Sequence, residues 1–372
     1  MNNMQQNTNL HIDLTLTDAC NFRCKYCYEK DLNYQSRIMK KDIIQRLDSF
    51  IEEVFKKTKY KTIDLQFWGG EPTLCSSQIF SIVEKYKDDD RIFFSLITNG
   101  SLVHSFKDIF DKFKNYKING KNKFITQISY DFEPVHSLNR VDTNNISTSE
   151  LVYKNILWMA ENQYDFSIKS TIRFDQLNLI HDVYLDYIQK YKEICDLHPK
   201  FQKGLFITPD TTYHGILPNR DQFLKEFRDK LIKIAIDYKK SGVPFLWFNM
   251  NRAVCTAGVD FISIDTDGSI YRCHGALYSK EKPNHFFGSI YEENIINKII
   301  NTFEKNFKYY SREPEECKTC YAQFCLRCNI HRSENSLKET IEERWTDYTN
   351  SPSQCDIYRE ISKVRKALEK MR

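Results

Sequence analysis

The feature that most limits the possible folds is an alternation of β-like and helix-like runs between residues 10 and 215. The β-like runs are His11–Thr17, Thr62–Trp68, Ile92–Thr98, Ile125–Tyr130, Ser167–Phe174 and Gly204–Thr208. The helix-like runs, with apolar residues three and four positions apart, are Lys40–Lys57, Ser76–Lys87, Ser105–Tyr116, Ser149–Asn162, Asp175–Cys195 and Asp221–Lys240. Strands separated by helices form parallel sheets, because parallel connections must cross over. The sequence therefore predicts an α/β fold, a partial (β/α)6 TIM-like barrel that is open because a complete barrel has eight units.

A different pattern follows the sixth helix-like run. Residues 241–244, Ser-Gly-Val-Pro, interrupt the helical periodicity and indicate a boundary. Phe261–Cys273 reads as a β-hairpin with Asp267-Gly268 as its turn. We therefore predict a barrel domain over residues 1–244, a cysteine-rich domain with a β-hairpin over residues 245–358, and a C-terminal helix over residues 359–372.

Charge and hydropathy exclude two classes of partner. The chain has 54 Lys and Arg against 50 Asp and Glu, a net charge of +4, and the two signs are interspersed. This pattern lacks the basic stripe of a nucleic-acid-binding protein. No apolar run approaches the ~18 residues that cross a bilayer, and the polar first ten residues do not form an export signal. We therefore expect a cytoplasmic protein with no nucleic-acid or membrane partner.

The 12 cysteines are better explained by metal ligation than by disulfides, because the cytoplasm keeps thiols reduced. Three of them, Cys20, Cys24 and Cys27, follow the first β-like run with the spacing C-x3-C-x2-C. Three thiolates can hold three corners of a four-iron cluster and leave the fourth iron open, which makes such a centre reactive. Part of a zinc site is the alternative that this spacing allows.

Polar or glycine-rich segments end the next three β-like runs. They are Gly69-Gly70-Glu71-Pro72, Thr98-Asn99-Gly100 and Ser129-Tyr130-Asp131. The carboxyl ends of barrel strands meet at one rim, and that rim carries the chemistry in such barrels. Paired glycines let the backbone approach a ligand closely. We therefore predict a binding site at this rim.

Together these motifs resemble those of the radical S-adenosylmethionine (SAM) superfamily over residues 10–215. The resemblance implies that Cys20, Cys24 and Cys27 hold a [4Fe–4S] cluster whose open iron binds SAM. An electron from such a cluster cleaves SAM to a 5′-deoxyadenosyl radical, which removes hydrogen from a substrate. The resemblance also implies cofactor contacts from Tyr26, Gly69, Gly70, Glu71, Thr98 and Asn99, from Ser129 or Asp131 at the ribose, and from Arg140 at the SAM carboxylate.

The later cysteines resemble the SPASM extension of peptide- and protein-modifying radical SAM enzymes, over about residues 250–358. The resemblance implies two auxiliary [4Fe–4S] clusters, one held by Cys255, Cys273 and Cys328 and one by Cys317, Cys320, Cys325 and Cys355. Seven thiolates are one fewer than two fully ligated clusters need, so the first auxiliary cluster has room for another ligand. Two gaps between these cysteines are one residue shorter than is usual in SPASM domains. A zinc ribbon is the alternative for paired C-x2-C units.

The resemblance leaves the substrate open. We favour an enzyme that installs a thioether, a carbon–carbon crosslink or a similar change in a ribosomally made peptide. The alternative is an anaerobic sulfatase maturase, which oxidises Cys or Ser to formylglycine; such enzymes carry an aspartate directly after the hairpin cysteine, where this chain has His274. A radical SAM enzyme for small molecules and a non-enzymatic zinc-binding module remain further alternatives.

Three side chains near the rim are candidate proton acceptors: Asp131, Glu133 and His274. We expect a flavodoxin or ferredoxin as electron donor, because cluster potentials reach roughly −700 mV. Since 19 residues precede Cys20, we expect a separate leader-peptide-binding protein, or the barrel surface, to recruit a peptide substrate.

Overall fold

The computed structural model describes residues 8–27, 36–201, 206–210, 219–249, 253–254, 256–278, 282–310, 320–322, 326–327 and 354–370. The strands are β1 (Asn9–Thr17), β2 (Thr62–Gly69), β3 (Ile92–Thr98), β4 (Lys117–Ile118), β5 (Lys121–Asn122), β6 (Phe124–Ser129), β7 (Phe166–Arg173), β8 (Phe206–Asp210), β9 (Ala253–Val254), β10 (Phe261–Ile264), β11 (Ser269–Tyr271), β12 (Phe286–Ser289) and β13 (Leu326–Arg327). The helices are α1 (Lys41–Lys57), α2 (Ser76–Tyr86), α3 (Lys107–Phe113), α4 (Val135–Asn139), α5 (Ser149–Glu161), α6 (Ile180–Leu197), α7 (Arg220–Ser241), α8 (Leu246–Asn249), α9 (Ile295–Tyr310) and α10 (Gln354–Lys370).

One sheet organises the molecule, with the strand order β12-β11-β10-β1-β2-β3-β6-β7-β8. The six strands predicted from the sequence are β1, β2, β3, β6, β7 and β8. Each pairs in parallel with the next one along the chain. The predicted α/β fold with a parallel sheet is therefore confirmed.

Strand β7 illustrates how the sheet separates its two faces. Buried and half-buried residues alternate along its whole length. Ile168 and Ile172 belong to the buried row, which joins the same apolar core as Ile156 of α5 and Val183 of α6. Burying such a side chain contributes about 1.5–3 kcal/mol. The half-buried row, which includes Lys169, lies on the inner face of the sheet.

The predicted hairpin is present as β10 and β11, and Gly268 in its turn has φ 87°. Its attachment was not predicted: β10 pairs in parallel with β1, and Asp13 lies opposite Ser263. Without β10, strand β1 would be an edge with unpaired N–H and C=O groups. The sheet thus contains strands from both sides of residue 244, and the three-part division of the chain stays a prediction.

Element boundaries differ from the predictions mainly where tight turns precede helices. Phe174–Leu179 and Val103–Phe106 are 3-10 helices, so α6 and α3 begin later than predicted. Helix α7 follows the predicted run closely, because Asn219 caps its first turn and Gly242, at φ 69°, ends it. No helix among the described residues is long and apolar enough to cross a membrane.

Candidate active site

Cys20, Cys24 and Cys27 lie in one loop directly after β1, which we call the cluster loop (residues 18–27). Its first half rests on the paired glycines after β2. A Cβ atom added to Gly70 would lie 2.4 Å from the carbonyl oxygen of Ala19, and Glu71 N donates to that oxygen over 2.8 Å. Glycine is therefore required here because two backbone segments touch.

The second half of the cluster loop pairs with residues 139–142, which follow α4. Arg23 N donates to Val141 O over 2.7 Å, and Lys25 N donates to Asn139 O over 2.9 Å. The two segments run antiparallel, like a short β-ladder. The cluster loop is thus held on both sides by backbone contacts, which fixes the positions of its three cysteines.

The three thiols form no disulfide, and hydrogen-bond donors reach the sulfur atoms of Cys20 and Cys24. Phe22 N lies 3.4 Å and Asn99 Nδ2 4.0 Å from Cys20 Sγ, and Arg140 Nη1 lies 3.7 Å from Cys24 Sγ. Burial raises the pKa of the Cys20 and Cys24 thiols. Iron binds the thiolate, so cluster assembly must release these protons. Donors aimed at sulfur fit an anionic iron–sulfur cluster.

A zinc ion and a four-iron cluster require different spacings of their ligands. No three Cys, His, Asp or Glu side chains in the described ranges are placed to hold one metal ion. A zinc ion needs its ligands about 2.0–2.3 Å from one centre. The thiolates of a cubane cluster each bind a different iron and therefore lie farther apart.

Glu71 is fully buried, and its carboxylate accepts hydrogen bonds from neighbouring residues. Oε1 accepts from Thr98 Oγ1 over 2.7 Å and from Thr73 Oγ1 over 2.5 Å, and Oε2 accepts from Asn99 N over 2.7 Å. Burial raises the pKa of Glu71, while these hydrogen bonds oppose the shift. Glu71 therefore ties the end of β2 to the end of β3.

Asn99 continues this connection to the cluster loop. Its Nδ2 donates to Asn21 Oδ1 over 2.8 Å, and its Oδ1 accepts from Ser101 Oγ over 2.7 Å. Asn21 Nδ2 in turn donates to Ser101 Oγ over 2.9 Å. The segments predicted at the ends of β2 and β3 are thus brought together beside Cys20.

Asp131 is the centre of a second group of contacts, which we call the Asp131 network (Tyr26, Asp131, Arg140 and Thr171). Asp131 is 0% exposed, and its Oδ2 accepts from Tyr26 Oη over 2.6 Å and from Arg140 Nε over 2.9 Å. Oδ1 accepts from Thr171 N over 2.8 Å. Burial raises the pKa of Asp131, and the charge of Arg140 opposes that rise. With both oxygens occupied, the geometry favours a positioning role for Asp131 over proton transfer.

Two further predicted residues lie near this network. Ser129 ends β6 and is half-buried, opposite Lys169 of β7. Glu133, which precedes α4, accepts through Oε1 from Ser137 Oγ in that helix over 2.8 Å. Glu133 N donates to Asp186 Oδ2 over 2.9 Å, so the residue is held by a local bond and by a bond to α6.

His274 occupies a different position, against β1 and β2. Its ring stacks on Trp68 with centroids 4.0 Å apart, and its Nδ1 lies 2.5 Å from Asp13 Oδ2. Asp13 is fully buried, and its Oδ1 lies 3.0 Å from His11 Nε2 and accepts from Gln66 Nε2 over 2.5 Å. The hairpin thus places His274 on the wall of the barrel interior.

Sequence reasoning missed Asp13, His11 and Lys169. The sequence of β1 indicates a polar inner face, because polar residues occupy every second position from Asn9 to Thr17. Burial lowers the pKa of Lys169, Arg140 lowers it further and Asp13 raises it. Lys169 is therefore within electrostatic range of both Arg140 and Asp13.

Three of the predicted auxiliary-cluster cysteines are described. Cys273 is buried beside Ala276 and Leu277. Burial lowers the pKa of Arg359, whereas a hydrogen bond with Cys320 and the charge of Cys355 raise it. Cys255, Cys317, Cys325 and Cys328 lie outside the described residues. The assignment of Cys320 and Cys355 to one cluster stays a prediction.

Comparisons with known proteins agree with this geometry. Residues 14–172 match the profile of the Radical SAM superfamily. The radical SAM cyclopropyl synthase TigE of Paramaledivibacter caminithermalis is 22% identical, over 96% of this chain and 74% of TigE. An S-adenosylmethionine-dependent nucleotide dehydratase of Flammeovirga pacifica is 26% identical over 49% of this chain and 58% of that protein.

Solved structures share the fold. Native anSMEcpe with bound AdoMet, an anaerobic sulfatase maturase, has a TM-score of 0.68 at 19% identity, covering 97% of this chain and 99% of its own. Streptococcus suis SuiB bound to precursor peptide SuiA has a TM-score of 0.56 at 12% identity, covering 84% of this chain and 69% of its own. The chain is an enzyme with a radical SAM domain over residues 14–172, a domain that implies SAM and a [4Fe–4S] cluster as cofactors, and it shares the fold of the sulfatase maturase structures.

Proposed function

We propose that this enzyme modifies a ribosomally made peptide, removing hydrogen from one residue and installing a thioether, a carbon–carbon crosslink or a similar change. The observation that carries the proposal is the cluster loop, held between the paired glycines and residues 139–142 with donors aimed at Cys20 and Cys24. When bound, the cluster and SAM supply a 5′-deoxyadenosyl radical. Support for a peptide comes from SuiB, solved with its precursor peptide, and from anSMEcpe, solved with a Cys-containing peptide.

Different residues of the rim have different roles in binding SAM. Gly69 and Gly70 let the loops meet, and Glu71 fixes the backbone that would hold the SAM amino group. Tyr26 and Arg140 are oriented by Asp131. The remaining contacts to SAM come from Thr98, Asn99 and Ser129, which stand at strand ends on the same rim.

His274 is the proposed proton acceptor for the oxidative part of the reaction. Asp13 holds its Nδ1, and Trp68 stacks on its face, so the ring has one orientation in the barrel interior. General acid–base groups of this kind contribute about 10²–10⁴-fold to a rate. Asp131 and Glu133, whose oxygens are bound within the protein, are weaker candidates.

The C-terminal cysteines are proposed to hold two auxiliary [4Fe–4S] clusters, with the partition predicted from the sequence. The hydrogen bond between Arg359 and Cys320, together with the electrostatic interaction of Arg359 with Cys355, supports a shared cluster. A flavodoxin or ferredoxin is the proposed electron donor. A separate leader-peptide-binding protein is the proposed recruiting partner.

Deuterium transfer tests this function. The anaerobically reconstituted enzyme is reduced with SAM and deuterated short peptides encoded beside its gene, and 5′-deoxyadenosine and peptide are analysed by mass spectrometry. We expect deuterium in 5′-deoxyadenosine and a changed peptide mass. Cys355→Ala should keep SAM cleavage but stop peptide modification, while Cys195→Ala, outside the predicted ligand set, should behave as wild type. SAM cleavage without deuterium transfer from any such peptide contradicts the proposal.

A sulfatase-maturase activity is the second candidate, favoured by the coverage of the anSMEcpe fold. The same assay with a peptide that carries a sulfatase Cys motif separates the two. Formylglycine in that peptide, with no change in peptides encoded beside the gene, selects the maturase.

A further inference from the structure

The Arg140 side chain is buried and is held by contacts with several groups. It is 7% exposed, and its guanidinium reaches two groups at once: Nε donates to Asp131 Oδ2 over 2.9 Å, and Nη1 lies 3.7 Å from Cys24 Sγ. The guanidinium carbon lies 5.4 Å from the ring centroid of Tyr26. Cys24 is a predicted ligand of the SAM cluster, so a buried positive charge lies beside that ligand.

The backbone of Arg140 is anchored as well as its side chain. Arg140 N donates to His136 O over 2.8 Å, and Arg140 O accepts from Thr148 N over 3.1 Å and from Thr148 Oγ1 over 3.0 Å. The neighbouring residues Asn139 and Val141 pair with the cluster loop. The guanidinium therefore cannot leave Cys24 without breaking either the ion pair or the loop contact.

The ion pair with Asp131 uses Nε of Arg140 and leaves Nη1 for Cys24 Sγ. Asp131 accepts through one oxygen from Nε, while Tyr26 Oη and Thr171 N fix the carboxylate. A guanidinium has five N–H donors in a fixed plane. Once Nε is fixed, the direction of Nη1 is fixed too.

We propose that Arg140 is a positioning residue of the SAM cluster itself: its guanidinium donates a charge-assisted hydrogen bond to the Cys24 thiolate, raises the reduction potential of the cluster and slows its loss. The inference rests on the proposed function and deepens it. Reduction adds negative charge to a cluster that is already anionic, and a nearby cation stabilises the reduced form more than the oxidised form. Net charge and hydrogen bonds to sulfur are known to set cluster potentials.

This role differs from the SAM-carboxylate contact that the sequence predicts for Arg140, because it acts on the cluster before SAM binds. The discriminating quantity is therefore the midpoint potential of the reconstituted enzyme without SAM. We expect Arg140→Gln to lower the equilibrium constant for one-electron reduction about tenfold, which corresponds to about 59 mV. We also expect faster loss of iron to a chelator.

Arg23→Gln is the matched control, because its guanidinium belongs to the same loop but donates to the backbone oxygens of Cys20 and Phe22. Its effect on the potential should be smaller than that of Arg140→Gln. If Arg140→Gln keeps the wild-type potential and iron retention while only the SAM dissociation constant rises, Arg140 is a SAM contact and the inference is overturned.

A spectroscopic measurement on the wild type tests the contact between Arg140 and the cluster without relying on the folding of an Arg140 variant. In reduced enzyme made with isotope-labelled arginine, pulsed electron paramagnetic resonance should detect coupling of a guanidinium nitrogen to the cluster, and both Arg23→Lys and Arg359→Lys should keep it. Wild-type enzyme with a cluster but no such coupling overturns this inference alone. Wild-type protein that takes up no iron–sulfur cluster overturns the proposed function and this inference with it.

Discussion

Nδ1 of His274 lies 2.5 Å from Oδ2 of Asp13, although 261 residues separate the two in the chain. An ionised carboxylate can only accept, so Nδ1 carries the proton and Nε2 keeps its lone pair in the neutral ring. The contact exists because β10 pairs with β1 and carries the C-terminal hairpin to the first barrel strand. The segment directly after the hairpin therefore contributes a side chain to the barrel interior.

Asp13→Asn should slow peptide modification about 10–100-fold while SAM cleavage continues, because His274 loses the partner that orients it. The decrease should appear in kcat, with KM for the peptide unchanged. Asp64→Asn is the control, since Asp64 lies on the neighbouring strand but contacts Asn9 and Lys121 instead. Equal losses in both variants, or loss of SAM cleavage in Asp13→Asn, contradict this role.

The stabilising effect of Asp13 should depend on pH. Burial opposes ionisation of Asp13, but His274 and His11 lower its pKa below 3.8. Burial also opposes protonation of His11, but Asp13 raises the pKa of His11 above 6.5. The contribution of Asp13 is lost as pH falls through its lowered pKa, and that of His11 is lost as pH rises through its raised pKa. The Tm difference between wild type and Asp13→Asn should therefore be larger at about pH 5.5 than at about pH 8.5. An equal difference at both pH values contradicts the pairing.

Gly70→Ala should abolish iron uptake at the cluster loop, because the new methyl group would lie 2.4 Å from Ala19 O and displace the segment that carries Cys20. Iron content after reconstitution, and SAM cleavage, measure the effect. Gly120→Ala is the matched control: it has φ 80° but no atom within 4 Å of an added Cβ, so it should cost about 1 kcal/mol of backbone strain and keep its iron. Full iron content in Gly70→Ala contradicts the contact.

Glu71→Gln should lower the free energy of unfolding and SAM affinity together. The amide replaces one of the oxygens that accept from Thr98, Thr73 and Asn99, and losing a hydrogen bond to a charged acceptor costs about 1.5–3 kcal/mol. Tm and the SAM dissociation constant measure the two effects. If affinity falls while Tm is unchanged, Glu71 contacts SAM directly instead of acting through the loop.

The fold could be predicted because its signal is local. Each barrel strand and helix has its own periodicity, and the turn at Asp267-Gly268 has its own residue preference, so these elements were found within a few residues. The pairing of β10 with β1 is a contact between distant segments, and no local pattern encodes it. The 3-10 turns before α3 and α6 were missed because their apolar spacing continues that of the helices.

The site was predicted where motifs lie at strand ends and missed where it depends on the inner face. The cluster loop, Gly69-Gly70-Glu71 and Asn99 could be grouped because the ends of parallel strands share a rim. The roles of Glu71 and Asp131 could not be read in advance, because burial and the occupation of their oxygens depend on tertiary contacts. Asp13 and His11 form part of an ordinary alternating strand until β10 brings His274 to them.

Cofactor content and SAM cleavage in wild type and Cys24→Ala test the central claim most directly. After anaerobic reconstitution and reduction, wild-type enzyme should contain a [4Fe–4S] cluster whose electron paramagnetic resonance spectrum changes with SAM, and should produce 5′-deoxyadenosine. Cys24→Ala should lose that spectral change and the product, while Cys195→Ala should keep both. Zinc bound at the cluster loop in wild type, or 5′-deoxyadenosine formed as fast by Cys24→Ala, would contradict the account.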